Sequence, residues 1–292
     1  MNSPDINFYC VGAQKAGTTT LHDILIQHPD IYLPETKEAH FFDEDEKYEL
    51  GFNWYRDAFF PNYNNQKITG SCNPEYMYFE DVPERIFKTL GKDVKLVFIF
   101  RNPADRAFSH YLMSKRRCIE EATFSEGVAL EAERIQKDYF NKTHFSYTSR
   151  GFYAKQVERY LKFFPIENMF FIRFEDDFIK NRKETVDALL KFLEIEHIDL
   201  DVNLKSNVAR SSKFKFIQSF IYKDNIIKSF FSFFVTQKLK NSIRKSIYNV
   251  FMKPEKKSSL DAETRKALLD TYEKDIVRLE KLIGKSLASW RV

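Results

Sequence analysis

Apolar residues along the chain fall into short continuous runs that alternate with stretches of helical period. Ile6–Val11 is the first run. It ends at Gly12, passes through a small and hydroxylated stretch, and gives way over Thr19–Gln27 to apolar positions three and four apart. That reads as strand, loop and helix. Val94–Phe100 repeats the rhythm and stops at Arg101-Asn102-Pro103, where Asn102 is suited to cap a helix and Pro103 to sit in its first turn. Met169–Ile172, followed by a helical pattern over Ile179–Glu194, makes a third copy. Further helices are predicted at Asp81–Leu90, at Thr123–Asp138 with the capping-box spacing of Thr123 and Glu126, at Arg150–Phe163, and at Asp261–Ile283, closed by Gly284. Continuous apolar strands alternating with helices point to an α/β fold: a central parallel sheet covered by helices on both faces, with ligands at the carboxyl ends of the strands.

Composition narrows the class. The 292 residues suffice for a single domain over 1–292, and 43% hydrophobic with 30% charged residues, 8 Gly and 9 Pro exclude fibrous and disordered chains. No apolar run reaches the roughly 18 residues of a membrane helix, and Met1–Asp5 lacks the pattern of a signal peptide, so a cytoplasmic protein is expected. Cys10, Cys72 and Cys118 have no metal-ligand spacing and read as free thiols. The net charge of +4 hides an asymmetry: residues 205–257 hold 13 Lys/Arg against 2 Asp/Glu, leaving the remainder at −7. Such a field implies an anionic partner. Within it, 213–251 interleaves lysines with Phe214, Phe216, Phe220, Phe230, Phe231, Phe233 and Phe234, which suits a helical lid or insertion, an oligomer face or a membrane-surface element.

The chemistry begins at Gly12-Ala13-Gln14-Lys15-Ala16-Gly17-Thr18-Thr19, between the first strand and the first helix. Glycines there free backbone N–H groups to converge on an anion at a helix N-terminus. The Gly-x4-Gly spacing is that of a P-loop, yet Thr18 stands where the nucleotide-triphosphate version has lysine, and the lysine comes earlier, at Lys15. A kinase would also place an acid at a strand end to hold Mg²⁺, whereas Val94–Phe100 ends in Arg101. The loop reads as an anion cradle without a metal. Arg101 and Ser109, two turns into the next helix, are candidates for a second phosphate. On the residues alone, a small-molecule kinase and a non-catalytic anion- or membrane-binding protein remain alternatives.

The stretches YCVGAQKAGTTTL at 9–21, RNPADRAFSHY at 101–111, RGFYAKQVERYLKFFP at 150–165 and YEKDIVRLEKLIGKSLASW at 272–290 resemble the sulfotransferases that use 3′-phosphoadenosine 5′-phosphosulfate. KEAHFFD at 37–43 is similar to the branch containing the heparan sulfate enzymes and bacterial relatives. The resemblance implies a P-loop-like fold and sulfuryl transfer from that donor, without a metal, to a small-molecule or glycan acceptor rather than to nucleic acid. It implies that Lys15, Ala16, Gly17, Thr18, Thr19 and Thr20 line the 5′-phosphosulfate, with Lys15 also at the bridging oxygen, and that Arg101 and Ser109 hold the 3′-phosphate. It implies Glu38 as the base, flanked by Lys37 and His40; on chemical grounds Phe41 and Phe42 are expected to desolvate Glu38, and His40 is the second candidate for the base. Arg210 and Lys213 match a later anion-binding element, and Phe174 matches a residue beside the adenine, with a core phenylalanine the alternative. One departure stands out. Near the sulfonate, where relatives carry a lysine or histidine, this chain has Ser71-Cys72-Asn73, which leaves Lys37 or the acceptor itself to supply the cation.

Overall fold

The computed structural model describes residues 4–204, short strands at 210–212 and 252–254, and 259–291. It divides into two compact units, one of residues 1–107, 148–206 and 262–292, the other of 108–147 and 207–261. The Phe-rich stretch 213–251 and Lys213 lie outside the described residues.

The first unit carries five parallel strands: β1 (Phe8–Gly12), β2 (Ile31–Tyr32), β3 (Ile68–Cys72), β4 (Lys95–Phe100) and β5 (Met169–Arg173), ordered β2-β3-β1-β4-β5. β1 and β3 are buried at every position, as in a sheet covered on both faces. The chain leaves β1 toward β2 and β3, then returns past β1 to β4. That reversal opens a crevice at the carboxyl ends of β1 and β4, where the phosphate loop and Arg101 emerge.

Helices α1 (Thr18–Leu25), α4 (Val82–Leu90) and α5 (Pro103–Arg116) form where the pattern predicts them, and Asn102 Oδ1 accepts the Ala104 and Asp105 N–H groups at 3.1 and 3.3 Å as the cap of α5. The periodicity does not reveal α2 (Asp45–Glu49), α3 (Gly51–Phe59) or β2. Ser71 and Cys72, at the departure from the sulfotransferase pattern, lie on β3 itself. The predicted helix Thr123–Asp138 opens with the expected capping box but breaks into α6 (Phe124–Ala129) and α7 (Glu131–Arg134). Asp138 is extended and its carboxylate caps the next helix, α8 (Tyr139–Phe145), by accepting the Asn141 N–H at 2.7 Å.

Helix α9 (Tyr153–Leu161) begins later than predicted, after a 3₁₀ turn at Ser149–Gly151. It has no cap of its own. Asp275 of the C-terminal helix α11 (Ala262–Ile283) accepts the Ala154 and Lys155 N–H groups at 2.9 and 3.3 Å, so a distant carboxylate does the capping. The helix predicted from Ile179 is preceded by a π turn at Phe174–Ile179 and becomes α10 (Arg182–Phe192). Much of the phenylalanine excess is core: Phe98, Phe100 and Phe171 stack along β4 and β5 against Tyr153 and Tyr160. Among the described residues, no helix is long and apolar enough to cross a membrane.

Candidate active site

The loop after β1 is tied down by backbone. Ala13 N–H donates to Ile99 of β4 at 2.8 Å, and Ala16 N–H donates back to Ala13 at 3.1 Å. Lys15 (φ 69°) and Gly17 (φ 92°) then take left-handed conformations and aim the chain into α1. No side chain caps that helix, and its first intrahelical bond runs from Leu21 N–H to the Gly17 carbonyl. The N–H groups of Thr18, Thr19 and Thr20 therefore have no intrahelical partner, an arrangement by which a helix N-terminus can take an anion. A Cβ on Gly17 would lie 3.0 Å from the Phe174 ring and 3.1 Å from that of Phe178, so the cradle closes only around glycine.

The 33–40 loop brings the second set of groups to the same place. Lys37 Nζ lies 2.7 Å from Glu38 Oε1, 3.3 Å from the Cys72 carbonyl and 3.4 Å from Thr18 Oγ1. It thus joins the end of β3 to the start of α1. The Cys72 thiol is fully buried, and burial, with the adjacent Cys10 thiol, pushes its pKa well up. It is held in its neutral form, and Lys37 is the cationic side chain that reaches the Cys72 carbonyl.

His40 faces Glu38 Oε2 at 3.9 Å with one ring nitrogen and Asp43 Oδ2 at 2.9 Å with the other. Burial works against a charged imidazole here, but the Asp43 hydrogen bond and the carboxylates of Asp43, Glu75 and Glu38 outweigh it, so the pKa rises. That favours His40 as a cationic neighbour of Glu38 over a proton acceptor. Phe41 and Phe42 do not act as the sequence suggested. They are buried against Tyr55, Tyr9 and Tyr76, while the Glu38 side chain keeps 39% of its exposure, so the two rings anchor the loop.

Behind the loop lies a buried network that the sequence did not announce. Gln14 Nε2 donates to Glu75 Oε1 at 2.8 Å, Arg150 pairs with the other Glu75 oxygen, and the Arg150 guanidinium lies 4.3 Å from the centre of the Tyr78 ring. Burial raises the Glu75 pKa, with Arg150 opposing it. Nothing local in the sequence signals this pairing across 75 positions; for Asp43 the i,i+3 spacing from His40 was the available clue.

Arg101 leaves the end of β4 with Nη1 bonded to the Lys15 carbonyl at 2.9 Å and its guanidinium 5.2 Å from the centre of the Phe174 ring, which links the β4 turn to the phosphate loop. Phe174 is packed on Gly17 and Arg101 rather than lost in the core. Ser109 sits on α5 in the second unit. Arg210 belongs to a three-residue strand paired antiparallel with Met252–Pro254, and its side chain, like Lys213, is outside the described residues. Among the described residues, no cluster of three or more His, Cys, Asp or Glu side chains forms a metal site.

A family profile described as a sulfotransferase domain matches residues 5–280. The chain belongs to the sulfotransferase family. A mouse protein named heparan sulfate glucosamine 3-O-sulfotransferase 5 is 34% identical over 203 residues, which cover 68% of this chain and 56% of that one. The human 3-O-sulfotransferase 3B1 is 35% identical over 167 residues, covering 56% of this chain and 39% of its own length. This sulfotransferase chain therefore aligns with about half or less of each of these relatives. A solved sulfotransferase from Alicyclobacillus acidocaldarius superposes with a TM-score of 0.71 at 27% identity, covering 99% of this chain and 100% of that one.

Proposed function

We propose that the protein transfers a sulfuryl group from 3′-phosphoadenosine 5′-phosphosulfate to an acceptor hydroxyl, or an amine, by in-line displacement. The observation that carries this reading is the reach of Lys37, which meets Glu38, Thr18 and the Cys72 carbonyl and so joins the acid-bearing loop to the anion cradle. The cradle around Gly17 suits a compact anion, and the donor brings an activated phosphosulfate anhydride and a separate 3′-phosphate. In this reading the first-turn N–H groups of α1 and Lys15 hold the 5′ end, while Arg101 holds the 3′-phosphate. Glu38 takes the acceptor's proton with Lys37 and His40 beside it, and Lys15 and Lys37 offset the negative charge that grows on the oxygens around sulfur.

The relatives' names supply the first acceptor class to try, a glucosamine hydroxyl in a sulfated glycan. Calorimetric titration should show adenosine 3′,5′-bisphosphate binding about tenfold or more tighter than the 5′-monophosphate, the size of one charge-assisted contact. Labelled sulfate should move from the donor to a glycosaminoglycan or to a small hydroxylated acceptor. Equal affinities together with no transfer to any acceptor would remove this reading.

A further inference from the structure

The turn that carries Arg101 is held by residues far from it in sequence. Asn102 is almost fully buried, and each of its polar groups has a defined task. Its Oδ1 caps α5, its backbone N–H donates to Glu175 Oε1 at 3.0 Å, and its Nδ2 donates to the Trp290 carbonyl at 3.0 Å. The other Glu175 oxygen accepts the indole N–H of Trp290, again at 3.0 Å. Trp290 has no exposure, and a buried indole N–H needs an acceptor. One carboxylate thus joins the start of α5 to the 3₁₀ turn Ala288–Arg291, and Tyr153, whose hydroxyl donates to the Arg101 carbonyl at 2.9 Å, packs 6.0 Å from the Trp290 ring. The residue before Glu175 is Phe174, which lies under the Arg101 guanidinium and against Gly17. A single turn after β5 therefore sets the backbone from which Arg101 departs and the surface on which its guanidinium rests.

We infer that Trp290 and Glu175 are positioning residues for recognition of the donor's 3′-phosphate, acting through Asn102 on Arg101. This rests on the proposed use of that donor. Arg101 already spends one donor on the Lys15 carbonyl, so its remaining N–H groups meet a phosphate only if the turn behind it stays fixed. Other contacts of the 286–289 segment, among them Ser289 Oγ to Asp176 at 2.6 Å, Arg173 to the Ser286 carbonyl at 3.0 Å and Leu287 N–H to Glu280 at 2.7 Å, dock the segment without touching Asn102.

The test measures, by calorimetry on the full chain, the ratio of dissociation constants for the 5′-monophosphate and the 3′,5′-bisphosphate of adenosine. Trp290→Phe keeps an aromatic ring and removes the indole N–H; Glu175→Gln keeps one acceptor and removes the other. Each should shrink the ratio by about three- to tenfold, less than loss of a charge-assisted contact to phosphate itself because Arg101 is still present. The double variant should fall no further than the singles. Ser289→Ala, which loosens the same segment, should leave the ratio as it is. An unchanged ratio in Glu175→Gln, or an equal drop in Ser289→Ala, overturns the inference, and Glu175→Gln decides the matter if Trp290→Phe does not fold. A wild-type protein with no preference for the bisphosphate would instead overturn the proposed donor.

Discussion

Glu38 and His40 show how neighbours decide what a titratable side chain does. With Lys37 at 2.7 Å from one oxygen and His40 at 3.9 Å from the other, the Glu38 carboxylate stays 39% exposed, open to an acceptor. Glu38→Gln should lower turnover by about 10²–10⁴ while leaving bisphosphate affinity unchanged, as steady-state rates and titration calorimetry can show; a loss under about tenfold would place the base elsewhere. His40 yields a pH signature. Its pKa lies above the usual 6.5, since the Asp43 hydrogen bond and the Asp43, Glu75 and Glu38 charges overcome burial. A raised histidine pKa means that the folded state holds the proton more tightly than the unfolded chain. The stabilisation is complete below about 6.5 and fades as pH climbs through the folded value. The melting-temperature gap between wild type and His40→Gln should therefore be widest in mildly acidic buffer and narrow toward alkaline pH.

At the scale of an element, the cradle depends on one residue without a side chain. Gly17 combines φ 92° with aromatic carbons 3.0 and 3.1 Å from where a Cβ would stand. Gly17→Ala should destabilise the fold by about 1–2 kcal/mol through the left-handed backbone alone. It should also lose most bisphosphate affinity, because relief of the ring contacts moves the first-turn N–H groups. Urea unfolding and calorimetry report the two effects separately. α9 makes a related point. Its N-terminal N–H groups are capped by Asp275 on α11, which its own sequence does not contain, and this is why its start is misplaced when read from periodicity.

Across the molecule, the Glu75–Arg150 pair ties the loop after β3 to the turn before α9, and Gln14 ties both to the phosphate loop. Both charged side chains are at most 3% exposed. Arg150→Met should cost about 3–5 kcal/mol, because it leaves a buried carboxylate without its counter-charge. Burial already raises the Glu75 pKa above the usual 4.5, and loss of Arg150 raises it further. The variant's deficit relative to wild type should then be small near pH 5 and grow toward pH 8, as Glu75 is forced to ionise. Urea midpoints at the two pH values give the comparison.

The sequence by itself determined what is local. Strand runs buried on both faces, the Asn102 cap, the Thr123–Glu126 box, the glycine loop opening α1 and the Lys37-Glu38-x-His40 cluster all act within a few residues, where spacing alone dictates geometry. The tertiary structure decided what depends on partners remote in sequence. It turned Lys37 toward the Cys72 carbonyl and Thr18, turned Phe41 and Phe42 into the core, paired Glu75 with Arg150, and set Glu175 between Asn102 and Trp290. Chain folding alone brings such partners within hydrogen-bond range, and a buried charge or indole N–H must find one somewhere. The pattern along the chain can say that a partner is needed but not which residue it is.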